Sequence, residues 1–402
     1  MIFDQKQQLF LAALRAALHG EHLETLPDTE ALCGAMAIAL QQGILPVVLE
    51  AIPAAQDPQP ESDELAAYRQ LAISQSLQLA ERTLDFRALY RFLRQNGLHP
   101  VVFKGVLCSR LYPLEFHRTS GDNDLYVPPA ELPNAHRLLL EYGLSMTSQN
   151  EHYFEVTYRD TDNRIHVEIH RSLFETGMVA TDDLNQFFCN IFAQTIEIDG
   201  WLSMPPHEHM LYLLLHAYKH FINCGIGLRH ACDVALWART YGNNIDWKIL
   251  LTQCESVHAE KFAAALFRIS EQYLGILLPL PNCWRAILVN PEPLLADMLS
   301  GGVFGFRRAH SMLSTALTMN AVKRNHSGRI SSVWHNFFPP RRLLLERYPY
   351  LRRHPFLLPI AWISRILNYL FRWHRQDNIT VAESHRMSRA RLNLLKQYGI
   401  IQ

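Results

Sequence analysis

The stretch Val101-Val102-Phe103-Lys104-Gly105-Val106-Leu107-Cys108-Ser109-Arg110-Leu111-Tyr112-Pro113, with Arg118 and then Asp122-Asn123-Asp124-Leu125-Tyr126-Val127 behind it, decides the fold. Val101–Phe103 is a β-branched and aromatic run and predicts a short strand. It breaks at Lys104-Gly105, after which the apolar spacing predicts a helix over Gly105–Tyr112, ended by Pro113. Asp122–Val127 predicts a second strand, followed by Pro128-Pro129 and a helix over about residues 130–142.

Side chains alternate along a strand, so Asp122 and Asp124 share one face while Asn123, Leu125 and Val127 take the other. Two carboxylates about 7 Å apart along a backbone can converge on hard divalent cations. The competing reading is a polar turn entering a strand. Moving outward, the alternating runs His152–Tyr158 and Ile165–Ile169 flank Arg159-Asp160-Thr161-Asp162-Asn163 and predict a hairpin. In Ile165–His170 the alternation puts His166, Glu168 and His170 on one face and three apolar residues on the other. If the two strands are neighbours, Glu168 becomes a third carboxylate.

Three carboxylates on adjacent strands supply the oxygen ligands of two-metal phosphoryl transfer, with the cations about 4 Å apart. The phosphates also need cations or N–H donors. Lys104, Arg118 and the backbone at Gly105 are placed to provide them.

On either side the helical period takes over. Residues 1–97 read as helices, interrupted by Pro46, Pro53, Pro58 and Pro60, with a long run from Asp63 to Arg94 stopped at Asn96-Gly97. Helices return from Pro206 to about residue 320. The expected architecture is α+β: a helical region over 1–97, a small mixed sheet within 98–200, a helical domain over 201–320 and a C-terminal helical tail over 321–402.

These residues resemble a known family, the uncharacterised nucleotidyltransferases of the DNA polymerase β-like superfamily. The similarity rests on Phe103–Pro113, Arg118 and Asp122–Val127. It continues in Val167-Glu168-Ile169-His170, His216-Ala217-Tyr218-Lys219-His220, Leu228–Asp233 and Phe338–Pro349. It implies a nucleotidyltransferase core in which Asp122, Asp124 and Glu168 hold Mg²⁺ or Mn²⁺, Gly105 opens the phosphate-binding helix, and an NTP is the substrate. Two residues depart from the superfamily pattern. Val106 replaces a Ser that usually follows the glycine, and Asn123 stands where an apolar residue is common.

The reaction this implies is transfer of NMP from an NTP to an unidentified acceptor, with pyrophosphate released, Lys104 and Arg118 neutralising the triphosphate. The same site is open to two other readings: a phosphotransferase moving the γ-phosphate, and a non-catalytic nucleotide-sensing or partner-binding module. His216, Lys219, His220, Arg229 and Asp233 belong to the later helices, where they either line an acceptor cleft or brace the helices through a His/Arg–Asp network. Cys224 and Cys232 lack zinc-finger spacing, which argues against zinc there.

The chain has 38 Lys+Arg against 38 Asp+Glu, but from Phe306 onward there are 17 basic residues and 3 acids, so the body is near −14 and the tail near +14. Residues 341–375 hold eight arginines interleaved with aromatic and aliphatic residues. Such a segment can pack as a helical layer with its arginines on the acidic body, lie on an anionic membrane, or track nucleic acid, the least favoured of the three. Seven scattered cysteines without a CxxC pair indicate a reducing compartment. No signal peptide is read at Met1–Lys6, and Phe356–Phe371 is too short and too polar to span a bilayer. The expectation is a cytoplasmic protein, with peripheral contact at the inner membrane face as an option for the tail.

Overall fold

The structure, a computed structural model, describes residues 3–25, 28–53, 62–147, 155–174, 182–223, 225–301, 341, 344, 348–364 and 381–401. The chain gathers into two compact units, one of Met1–Phe221 with Gly225–Gly305, the other of Ile222–Cys224 with Phe306–Gln402.

The first unit is α+β. Helices α1 (Gln5–Leu18), α2 (Thr29–Gln41), α3 (Leu45–Leu49) and α4 (Asp63–Gln95) precede the sheet. Each of α1, α2 and α4 starts at an Asp or Ser whose side chain accepts a hydrogen bond from an N–H of the first turn, at Asp4, Asp28 and Ser62. At 33 residues α4 is about 50 Å long. Its buried Phe86 stacks on Trp201 at 5.2 Å, and Tyr90 lies 4.7 Å from the same ring. The Tyr90 hydroxyl donates to Pro100 O and accepts from Leu202 N–H, tying α4 to two strands of the sheet.

The strands are β1 (Val101–Val102), β2 (Asn123–Tyr126), β3 (Ser145–Met146), β4 (Glu155–Arg159), β5 (His166–His170), β6 (Ile196–Ile198) and β7 (Trp201–Ser203), in the spatial order β3-β4-β5-β2-β1-β7-β6. β4 and β5 form the expected antiparallel pair around the turn at Asp160–Asn163. β2 lies parallel to β5, with Asp124 opposite Glu168, and antiparallel to β1. Three features differ from the sequence reading, the first being the two-residue edge strand β3, which the sequence does not suggest. The helix at Gly105, α5 (Gly105–Ser109), ends before Tyr112, and the sheet gains the edge hairpin β6–β7, whose three-residue strands are too short to show a period.

After α6 (Leu132–Glu141), the helices α7 (Pro206–Asn223), α8 (Leu228–Tyr241), α9 (Trp247–Ser256), α10 (Glu260–Gln272), α11 (Asn282–Arg285) and α12 (Glu292–Gly301) follow. Tyr212 of α7 is buried against Phe103, Phe174 and Phe188 at 4.9–6.2 Å, which sets α7 beside the end of β1. Among the described cysteines none forms a disulfide; Cys224 is outside the described residues.

In the second unit, Leu344, Tyr348, Leu351 and Ala361 form a small core, with Tyr350, Leu357, Leu358 and Trp362 packed on it. Arg341 donates Nε to Leu351 O and Nη2 to Arg352 O. Phe356, Ile360 and Ile363 are exposed. Arg352 and Arg353 of the basic segment are exposed, and its Arg342, Arg347, Arg365, Arg372 and Arg375 lie outside the described residues. A helix α13 (Val381–Gln397) follows. Among the described residues no helix is long and apolar enough to cross a membrane.

Candidate active site

The site begins at a strained turn. Lys104 and Gly105 both take positive φ, +50° and +42°, where the chain leaves β1 for α5. A non-glycine residue pays for that conformation. The compensation is local: the Lys104 N–H donates to Nε2 of His209, 3.2 Å away. Burial pushes the His209 pKa down to about 3, so the ring is neutral and able to accept, and its other nitrogen faces Ser203 Oγ at 3.4 Å. His209 thus orients the turn from α7, a role its sequence position gives no hint of.

The turn aims the Lys104 side chain at β2. Its Nζ lies 3.0 Å from Asp124 Oδ2, while His170 Nε2 lies 2.8 Å from Asp124 Oδ1. Asp124 is buried, which by itself would raise its pKa; the Lys104 charge and the His170 hydrogen bond outweigh this and hold it at about 2. An ionised carboxylate only accepts, so Nε2 of His170 carries the proton. Burial likewise opposes the charge on Lys104, and Asp124 more than reverses it, raising the ammonium's pKa.

Glu168 behaves in the opposite way. Burial and the neighbouring Asp124, Asp122 and Glu155 carboxylates push its pKa up to about 8. Its oxygens lie 3.9 Å from His170 Nε2 and 3.8 Å from His166 Nε2. Asp124, Glu168 and His170 each offer a ligand atom, all within 4.8 Å of one another. The register of two parallel strands therefore brings together two of the three predicted carboxylates. His170, which the alternation put on the same face, joins them.

Asp122 precedes β2 and stands outside that tight group. It lines a recess with Gly105, Val106, Arg118, Ser120 and His166, and its charge is felt at Lys104, Glu168 and Arg229. Arg118 is engaged elsewhere. Nε and Nη2 bind the two oxygens of Asp233 at 2.7 and 2.6 Å, Nη1 reaches Gly105 O at 3.5 Å, and both partners are buried. Tyr112 donates a further bond to Asp233 at 2.9 Å. This network braces α5 and the loop before β2 against α8, so Arg118 lines the recess as the bound partner of Asp233.

The other late candidates form a second group. His216 and His220 of α7 have Nε2 atoms 3.2 Å apart, and His230 of α8 lies 5.8 Å from each ring. Lys219 is buried, and Arg229 donates Nη1 to Thr119 O at 2.7 Å.

Comparison with known proteins gives the class: the chain is a nucleotidyltransferase. The family whose sequence model matches, over residues 34–275, is described as "Uncharacterised nucleotidyltransferase", and the chain belongs to it. No curated protein matches the chain in sequence. Among solved structures, the crystal structure of the Megavirus polyadenylate synthase is similar at 13% identity and a TM-score of 0.29, over 86% of this chain and 85% of that one.

Proposed function

We propose that the enzyme transfers NMP from an NTP to a nucleophilic acceptor in a divalent-metal-dependent reaction, with the sheet β1–β7 as its catalytic core, which runs to Ser203 and so three residues past the expected boundary at 200. The observation that carries this reading is the register pair Asp124 and Glu168, with Lys104 at 3.0 Å from Asp124.

The residues fit a hard cation. Asp124 already attracts an ammonium, and burial together with the carboxylate repulsion lifts the Glu168 pKa to about 8, a penalty on its charge that a cation between the carboxylates would relieve. Asp122, Asp124 and Glu168 would hold Mg²⁺ or Mn²⁺, with His170 orienting Asp124 from behind. When bound, such a cation supplies charge stabilisation at the phosphoryl oxygens and a more acidic attacking hydroxyl.

In the chemical step the acceptor oxygen bonds to the α-phosphorus, and the bond from that phosphorus to the bridging oxygen breaks. The electron pair leaves on pyrophosphate. The acceptor's proton passes to Glu168, which acts as general base once a bound cation holds its carboxylate ionised. Lys104, paired with Asp124, keeps that carboxylate ionised for the cation. Asp124→Asn and Glu168→Gln should each lower turnover by at least about 10²-fold, the scale of a lost acid–base or electrostatic group, with unchanged circular dichroism. Full turnover in either folded variant would sink the assignment.

A further inference from the structure

The sequence points to Lys104, Arg118 and the Gly105 helix as the phosphate-binding set, yet the structure occupies each of them otherwise. The Lys104 ammonium is on Asp124, Arg118 is closed on Asp233, Val106 is apolar and buried, and α5 has only five residues. A triphosphate needs several cationic or N–H donors, and the described residues near the carboxylates offer another set.

That set is on α7 and α8. His216, His220, Arg229 and His230 are each partly open to solvent, with Lys219 buried among the same turns. The group starts one ring beyond the wall of the carboxylate site: Phe103 packs on His170 at 5.1 Å and on Tyr212 at 4.9 Å, and Tyr212 lies 5.5 Å from His216. Arg229 leans on the loop that carries Asp122, through Thr119 O. Among the described residues Arg229 forms no ion pair; its guanidinium donates to a neutral carbonyl, with the Asp233 and Asp122 carboxylates acting on it from a distance. Burial and the nearby Arg118 lower its pKa by more than the Asp233 and Asp122 carboxylates raise it, and burial with the surrounding cations lowers that of His216, so the group carries more positive than negative charge around it.

We propose that His216, Lys219, His220, Arg229 and His230 form the phosphate subsite of this enzyme, receiving the β- and γ-phosphates of the nucleotide. The inference rests on the nucleotidyl-transfer reading for the identity of the ligand. A planar, forked guanidinium and imidazole N–H groups suit phosphate oxygens, and the position beside Asp122 sets the leaving pyrophosphate on the helical side of the site.

The test is calorimetric titration of the full-length protein with inorganic tripolyphosphate in EDTA, then with ATP and AMP. Arg229→Met and Lys219→Met should weaken tripolyphosphate and ATP by about 10- to 100-fold, the scale of one charge-assisted hydrogen bond, and leave AMP affinity unchanged. Arg229→Lys should recover part of the loss. His216→Gln/His220→Gln, changed at partly open positions, gives the same readout if the Arg229 variants do not fold.

ATP should displace tripolyphosphate one for one. Binding of both together would assign the cluster to a phosphate on the acceptor and overturn the proposal, as would equal tripolyphosphate affinity in wild type and variants or none in the wild type. The subsite and the chemistry fail separately. Asp122→Ala/Asp124→Ala should keep tripolyphosphate binding, and a wild type that transfers no nucleotide but needs Arg229 for tripolyphosphate would refute the first reading alone.

Discussion

His170 and Glu168 alternate with apolar residues along five residues of β5, yet the two carry different duties. His170 fixes one oxygen of Asp124 and sits 3.9 Å from Glu155 through its other nitrogen. Replacing it by Phe should lower Mn²⁺ affinity by about 10- to 100-fold, as loss of a partner behind a metal ligand does, measured by electron paramagnetic resonance of free Mn²⁺. Glu168 gives a pH signature. Its folded pKa of about 8 exceeds the ordinary 4.5, so between those values the folded chain keeps a proton that the unfolded chain releases. Stability without metal should therefore fall as pH rises from about 5 to 8. Melting curves in EDTA should show that slope, and Glu168→Gln should reduce it; an unchanged slope would contradict the charge arrangement. Much of this was legible in the sequence, because a period of two places Asp124, Glu168 and His170 on their faces. The pKa values were not, since they depend on Glu155 and Lys104 arriving from other elements.

At the scale of elements, the turn from β1 to α5 and the brace to α8 position the site. Gly105→Ala should cost about 1–2 kcal/mol in urea unfolding, the penalty of an L-residue at positive φ, whereas its new Cβ would meet nothing nearer than 3.9 Å. Removing one partner of the buried Arg118–Asp233 pair, as in Asp233→Ala, should cost about 3–5 kcal/mol, because a buried guanidinium is left unpaired. A loss below about 1 kcal/mol would show the brace to be dispensable. The sequence reading placed Arg118 on the triphosphate because it lies between Lys104 and the Asp122-Asn123-Asp124 motif. Its partner is 115 residues further on, and local spacing does not report a pairing of that range. The hairpin β6–β7 escaped for a related reason: Trp201 earns its place by stacking on Phe86 from α4, a tertiary effect that three-residue strands do not advertise.

For the whole molecule, the stretch before Phe306 and the stretch from it onward carry net charges of opposite sign, near −14 and near +14. If the tail contacts an anionic membrane, the full chain should sediment with phosphatidylserine vesicles, a truncation lacking residues 341–402 should not, and raised salt should release it. Sedimentation that is indifferent to the tail would leave its arginines a structural part. The central claim concerns the carboxylates of β2 and β5, and one measurement reaches it most directly. Purified enzyme and its Asp122→Ala/Asp124→Ala variant are incubated with Mg²⁺, cell extract and NTP labelled in parallel at the α- and the γ-phosphate. The account predicts that wild type alone moves the α-label onto an acceptor while the γ-label leaves as pyrophosphate. Transfer of the γ-label, or equal transfer by the variant, would contradict it.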